Sequence, residues 1–483
     1  MKTFALTPTN LTSPGARPRL RLVVLLIAAA TLAGCASFSQ DGGFSTVEQA
    51  AKDRLGKEVH WARTPADQDG IDQRVSELLA KPLSADDAVQ VALLNNRGLQ
   101  ASFQELGITE AEVVQAGRVP NPGFSFSRLR RGDEIELDRG IHFNLARLIA
   151  MPMISAMEAR RFEATKGMVT MSMLSVAADT RKAWVTALAA EETVRYMRQV
   201  KQAAEASAEL ARRMEQVGNF TKLQRAREQS FYADAALNLA RAEQSQRTSR
   251  ERLTRLLGLW GAQTQFKLPD RLPDLPQDLI DRPDIERIAL AQRLDVQGAR
   301  LAAEQTARNL GLTKTTRFVN VLELGVVRNS SNEAPTQRGW EIGVELPLFD
   351  WGSARVARAE GVYMQAVHRA AETAINARSE VREAYGAWRS AYDIARHHQD
   401  EIVPLRKQIA EENVLRYNGM LIGVFELLAD ARLQIASVNA AIEAKRDFWL
   451  AQADLDMALI GKPSLTPSAG PATAAGSGGD AVH

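Results

Sequence analysis

Cys35 is the only thiol in the 483-residue chain, so no intrachain disulfide can form. It stands directly after Leu32-Ala33-Gly34, at the end of an apolar run that begins at Leu22. The six histidines are scattered and show no metal-ligand spacing. Of these, His398 falls on a predicted helix-packing seam beside His397. Met151, Met153, Met157, Met168, Met171 and Met173 form a local cluster. Thioethers can bind Cu(I), and they also fill irregular packing where strand gives way to helix; both readings stay open. Glu426 and Asp430 lie one helical turn apart, on one side of a predicted helix.

Two long helical hairpins must position these groups. Ala374, Ala377, Val381, Ala384, Trp388, Ala391, Ala395, His398, Ile402, Leu405 and Ile409 alternate three- and four-residue steps. That is a heptad seam, the mark of helices packed along their length. Val424, Leu428, Ala431, Ile435, Val438, Ile442, Lys445 and Trp449 repeat it on a return arm. Tyr417-Asn418-Gly419-Met420, with Gly423 just after, supplies residues that tolerate a reversal. An arm of roughly 60 residues is roughly 90 Å long. The pattern occurs earlier too. Val200, Ala204, Ala211 and Met214 lead to Gly218-Asn219, and Leu223, Ala226, Ala233 and Leu237 return. Gly218 and Gly419 lie about 200 residues apart, so the chain reads as an internal duplication.

Before each hairpin the period changes from 3.6 to 2. Phe124 and Phe126 alternate with serines. After Arg131-Gly132-Asp133, Ile135, Leu137, Ile141, Phe143 and Leu145 alternate with Glu136, Asp138, His142 and Asn144. The second half repeats this with Phe318 to Val326, a polar loop over Arg328 to Arg338, and a strand beginning at Trp340. Strands of about 9–11 residues with one apolar and one charged face mark a membrane barrel wall, and Trp340 and Trp351 stand where an aromatic girdle would. Four strands cannot close a barrel, and lipid does not tolerate open edges. The chain is therefore expected to form a homotrimer with twelve strands.

The first residues read as a targeting segment. Arg17, Arg19 and Arg21 precede the apolar run, which is short for a membrane span. Leu32-Ala33-Gly34-Cys35 resembles the lipobox of bacterial lipoproteins. The resemblance implies cleavage before Cys35 and a covalent lipid on it, the only prosthetic addition expected. Ala36 in the next position implies sorting to the outer membrane. Lys+Arg number 60 against 58 Asp+Glu, and the net charge of +2 leaves no footprint for nucleic acid. The boundaries expected are a signal peptide over 1–34 and a lipid-anchored strap over 35–82 with one short helix near Arg74–Ala80. A first repeat follows over 83–258, with strands at about 123–147 and a hairpin at about 153–258. A Pro- and Asp-rich connector covers 259–283. The second repeat runs over 284–461, with strands at about 317–349 and a hairpin at about 353–460. A low-complexity tail, expected to be disordered, occupies 462–483.

In this order of elements the chain resembles the TolC family of outer-membrane efflux proteins, in its lipoprotein branch. The motifs are Val119-Pro120-Asn121-Pro122, Leu346-Pro347-Leu348-Phe349-Asp350, and Arg416-Tyr417-Asn418-Gly419 leading to Phe425-Glu426-Leu427-Leu428. Asn96-Arg97-Gly98 and Arg293-Leu294-Asp295 depart from the family's usual Asn-Arg-Pro. The resemblance implies a mainly α fold with a small β part, built as a trimeric transmembrane β-barrel continued by an α-helical periplasmic barrel. It implies a duct without catalysis, served by a periplasmic adaptor and an inner-membrane pump, exporting small molecules or metal ions. The hairpin tips, with Gly218, Asn219, Thr221, Leu223, Tyr417, Gly419, Met420 and Gly423, are the expected adaptor-docking surface. Glu426 and Asp430 are candidates for an acidic ring at the aperture, or for a solvated helix face. A periplasmic adaptor or a structural coiled-coil lipoprotein is the alternative, but neither would carry a strand pair before each of two hairpins.

Overall fold

The computed structural model describes residues 37–281, 283–316, 322–344 and 349–463. The signal segment, Cys35, the start of the third predicted strand, Leu346-Pro347-Leu348 and the tail beyond 463 lie outside the described residues. Two compact units emerge, and they cut across the two sequence halves. One gathers 107–162 and 309–359 around a sheet; the other holds 43–106, 163–308 and the chain from 360 on, and is helical.

The sheet contains β1 (Gly123–Arg131), β2 (Glu134–Asn144), β3 (Leu322–Ser331) and β4 (Gln337–Val344), in the order β1-β2-β3-β4. All three pairings are antiparallel, and β2 pairs with β3, joining the strands of the two halves. The Gly132 turn, with φ 63°, closes the first hairpin. β3 and β4 reach further than their polarity suggested. Arg328 pairs with Arg338 and Asn329 with Gln337, so the loop predicted from Arg328 to Arg338 shrinks to residues 332–336. Polar side chains do not weaken a ladder whose bonds are made by the backbone.

In the helical unit the N-terminal segment carries α1 (Ser45–Leu55) as well as α2 (Pro65–Leu79), where the sequence reading expected one short helix. α2 begins at a capping box. Asp67 N–H donates to Thr64 Oγ1 at 3.2 Å, and Thr64 N–H to Asp67 at 2.9 Å; Pro65 adds its preset φ. Between them, Ala62 N–H donates to Gln100 Oε1 at 3.1 Å and Gln100 Nε2 to the His60 carbonyl at 2.7 Å.

α3 (Ala85–Asn95) starts at Ser84, whose hydroxyl accepts from Asp87 N–H, and breaks at Asn96 before α4 (Arg97–Ala116). The same break recurs between α7 (Ile285–Gln292) and α8 (Leu294–Thr316). Asn96 has φ −66° and ψ 113°; Arg293 has φ −66° and ψ 124°. At the first break Asn95 Nδ2 donates to the Leu257 carbonyl at 3.0 Å and Asn96 Nδ2 to Leu256 at 2.8 Å. At the second, Arg293 takes over and is 1% exposed. Its guanidinium bonds Asp295 at 2.6 Å, Glu380 at 2.7 Å and the Ala377 and Ala458 carbonyls at 3.4 Å. Burial opposes its charge, and the bonds to Asp295 and Glu380 more than offset this, holding its pKa above the ordinary arginine value.

α5 (Leu145–Gln216) and α6 (Lys222–Leu257) make the first hairpin. α9 (Ser353–His397), a π turn at His398–Ile402, α10 (Val403–Asn418) and α11 (Val424–Ile460) make the second. Val381, Ala384, Trp388 and Ala395 are buried with Phe448 and Leu455. Past the π turn the predicted seam fails: Leu405 is 57% exposed and Asn413 is buried. An i→i+5 turn inserts a residue and rotates all that follows. Lys182 on α5 and Asp454 on α11 pair at 2.5 Å. Glu228 on α6 is 1% exposed and meets Ser207 at 2.8 Å and Arg432 at 3.1 Å. The connector packs Leu268 and Leu272 on one core and Leu275 and Leu279 on the other.

Candidate functional site

The strand alternation sorts side chains onto two faces. On one, Phe143, Leu324 and Ile342 share a row across β2, β3 and β4, and Ile141, Val326 and Trp340 share the next. All but the half-buried Leu324 are open to solvent in the single chain, Trp340 at 72% and Val326 at 59%. The opposite face carries Glu136, Asp138, His142, Glu323 and Glu341. His142 Nδ1 lies 2.8 Å from Glu341 Oε1, and Ser125 Oγ lies 2.8 Å from His142 Nε2. This network lies across Gly140 and Gly325. A Cβ at Gly140 would come 2.6 Å from Ser125 Oγ, and one at Gly325 2.7 Å from Glu341, so a side chain at either position would displace this network. Glu136 also takes a hydrogen bond from Asn329. Among the described residues no helix is long and apolar enough to cross a membrane. The exposed apolar surface of this unit is concentrated on the sheet and at its helix junctions.

The tips belong to the helical unit. Gly218 has φ 79°, and both Asn219 and Phe220 N–H groups return to the Met214 carbonyl, at 2.9 and 3.2 Å. Thr221 caps α6: its hydroxyl accepts from Gln224 N–H at 3.2 Å, and its own N–H donates to Gln224 Oε1 at 2.6 Å. Its side chain is thereby committed to holding the turn. At the second tip the left-handed residue is Met420, φ 57°, whereas Gly419 has φ −80°. Gly419 N–H still donates to Leu415, so the helix runs one residue further than the glycine suggested. Gly423 precedes α11 without a side-chain cap.

Both tips display apolar surface: Val217 at 69% and Leu223 at 62% in one, Met420 at 93% and Leu421 at 72% in the other, with Tyr417 at 40%. Leu421 falls within the stretch expected from Gly419 to Glu426, whereas Val217 lies just before the first expected stretch, where the only signal was an apolar residue in a turn. A methionine held at positive φ is costly, about 1–2 kcal/mol. Met420→Ile should destabilise the tip by roughly a further 1 kcal/mol, because a branched Cβ is excluded there. Met420→Gly should not. Hydrogen exchange of the Leu421 amide, which bonds the Arg416 carbonyl at 2.9 Å, reads the difference.

Glu426 is exposed, while Asp430 is half-buried and accepts a hydrogen bond from Asn413 on the facing arm. The two acids therefore have different tasks within one chain: Asp430 clasps the hairpin, and Glu426 faces solvent. The methionines do not share one environment. Met173 is fully buried and Met168 is 63% exposed on the same helix. His398 is half-buried, and burial followed by the neighbouring His397 lowers its pKa.

In three dimensions the chain aligns with the outer-membrane channel CmeC of Campylobacter jejuni, with a TM-score of 0.67 and 18% identity over 84% of this chain and 91% of that one. It also aligns with the open state of the MtrE outer-membrane channel of Neisseria gonorrhoeae, with a TM-score of 0.63 and 18% identity over 78% and 90%. The chain has the fold of the outer-membrane channels. That is the fold implied by the resemblance to the TolC family, mostly helical with one small sheet. In sequence it is 24% identical over 286 residues to the cobalt-zinc-cadmium resistance protein CzcC of Cupriavidus metallidurans. The match covers 56% of this chain and 64% of that relative. No family model matches. Within the channel fold, the two-faced sheet and the hairpin tips both expose apolar side chains.

Proposed function

We propose that this chain is the outer-membrane channel of a tripartite export system. The observation that carries the reading is the sheet: an apolar face, an acidic face, and two unpaired edges on β1 and β4. Exposed edges are not tolerated in lipid, and three copies supply the twelve strands of an even-numbered barrel. The apolar face meets lipid and the acidic face lines the pore. Glu136, Asp138, Glu323 and Glu341 favour cations there, and the metal-resistance name of CzcC points to the same class of cargo. The helical hairpins continue the duct through the periplasm. Their tips dock an adaptor that joins an inner-membrane pump. Exposed apolar side chains and a strained Met420 are what a docking surface needs. Glu426, repeated by the three-fold axis, places carboxylates at the aperture.

Native mass spectrometry in detergent should give a trimer, and a stable folded monomer would remove the reading. Asn219→Trp and Met420→Trp should abolish export at unchanged trimer yield, and cysteine pairs at these positions should crosslink to the adaptor; normal export by both variants refutes tip docking. Cys35 carries the lipid that anchors the mature chain, because two or more acyl chains hold where one does not. Cys35→Ser should eliminate palmitate labelling and leave a precursor of higher mass; an unlabelled wild type would disprove the anchor.

A further inference from the structure

Arg139 on β2, Arg328 on β3 and Arg338 on β4 stand directly opposite one another in the ladder. Arg128 on β1 is one row further on, diagonal to Arg139. All are exposed, and all lie on the apolar face rather than the acidic one. Among the described residues Arg139, Arg328 and Arg338 make no ion pair. The carboxylates that could have neutralised them, Glu136, Asp138, Glu323 and Glu341, point to the opposite face. Like charges directly opposite in a sheet are destabilising, and an anion from outside the chain would relieve this row.

The row's height on the sheet says which anion. It sits one row beyond Trp340 and six residues along β3 from Leu322, roughly 20 Å at about 3.3 Å per residue. An outer-membrane barrel has an apolar band about 25 Å tall with aromatic residues at its borders. The helices join the sheet at the Leu322 and Val344 end, and the turns at Gly132 and residues 332–336 close the other. We infer that Arg139, Arg328 and Arg338, with Arg128, bind the phosphates of a phosphorylated lipid headgroup in the outer leaflet, its acyl chains lying on Ile141, Val326 and Trp340. This rests on the channel reading, which places the turn end outside. A guanidinium is suited to the task because its planar fork meets two phosphate oxygens at once. The row spans about 10 Å across three strands, enough to engage more than one phosphate.

The test uses the purified full-length protein in nanodiscs, with lipopolysaccharide bearing phosphorylated lipid A as the probe and its dephosphorylated form as the control. Retained lipid is measured by native mass spectrometry. Each cation beside an anionic surface contributes about fivefold in binding, so Arg139→Gln/Arg328→Gln/Arg338→Gln should bind roughly 100-fold more weakly. The corresponding triple lysine variant should keep most of the binding, since it keeps the charge. If the triple glutamine variant fails to fold, Arg328→Gln alone should show the single fivefold step. Equal retention of the two lipid forms, unchanged binding by the glutamine variants, or full displacement by millimolar inorganic phosphate overturns the inference. Insertion of the wild type as a trimer is read separately. If it fails, the channel reading falls and takes this inference with it; normal insertion without preference for the phosphorylated lipid overturns the inference alone.

Discussion

Arg293→Met should lower the stability of the helical unit by about 3 kcal/mol, the cost of removing one partner from a buried ionic cluster. Arg293 is 1% exposed and joins the break between α7 and α8 to Asp295, to Glu380 on α9 and to carbonyls on α9 and α11. Methionine matches much of its length but leaves two carboxylates facing each other. Asp295 and Glu380 retain side-chain exposures of 21% and 19%, so water relieves part of the repulsion and keeps the loss toward the lower end of the range. Lysine restores one charge but not the fork, and should recover only part. The thermal midpoint of the detergent-solubilised protein checks this. A midpoint unchanged in Arg293→Met would mean that the cluster contributes nothing net.

The pair Lys182 and Asp454 should behave differently when cut once and when cut twice. Lys182→Met alone should cost about 3 kcal/mol, because it strands a buried carboxylate, whereas Lys182→Met/Asp454→Leu should be close to neutral or stabilising. The side chains are 9% and 12% exposed, and their separation is 2.5 Å. Burial pushes the Asp454 carboxyl above its ordinary value of 3.8, and the Lys182 bond does not fully reverse this. The sign follows: a carboxyl whose folded pKa is raised holds its proton more tightly in the fold. Its contribution to stability is therefore largest at low pH and declines as pH rises from about 3.8 through the raised folded value. Asp454→Asn should remove that part of the pH dependence. Unfolding curves of the wild type, Lys182→Met, Asp454→Leu and the double variant read the coupling, which strict additivity would refute, and Asp454→Asn compared with the wild type at two pH values reads the pH effect.

Much of this architecture is local and therefore legible in the chain. Heptad spacing through Val381, Ala384 and Trp388 gave the seam that the structure buries, since periodicity depends only on the rise and turn of a helix. Ser84 was legible as a helix start; Thr64 with Asp67 and Thr221 with Gln224 make bonds just as local but were not read. Alternation from Ile135 to Asn144 assigned the apolar and acidic residues of β2 to their faces, but not Arg139 or Gly140. α1 was missed because Val47 and Ala51 offer only two buried positions in eleven residues.

What tertiary structure alone decided are matters of register and partnership. The π turn at His398–Ile402 exposes Leu405 and buries Asn413, and a regular period cannot anticipate one inserted residue. The left-handed residue at the second tip is Met420, because the backbone bond from Gly419 to Leu415 carries the helix one step further. Arg293, which looked like a departure from a motif, is the centre of a buried cluster whose partners lie 87 and 165 residues away. The arginine row depends on β2 pairing with β3 across the two halves of the chain. Arg139 and Arg328 are far apart in sequence, and only the ladder, which fixes their register through backbone bonds, places them side by side.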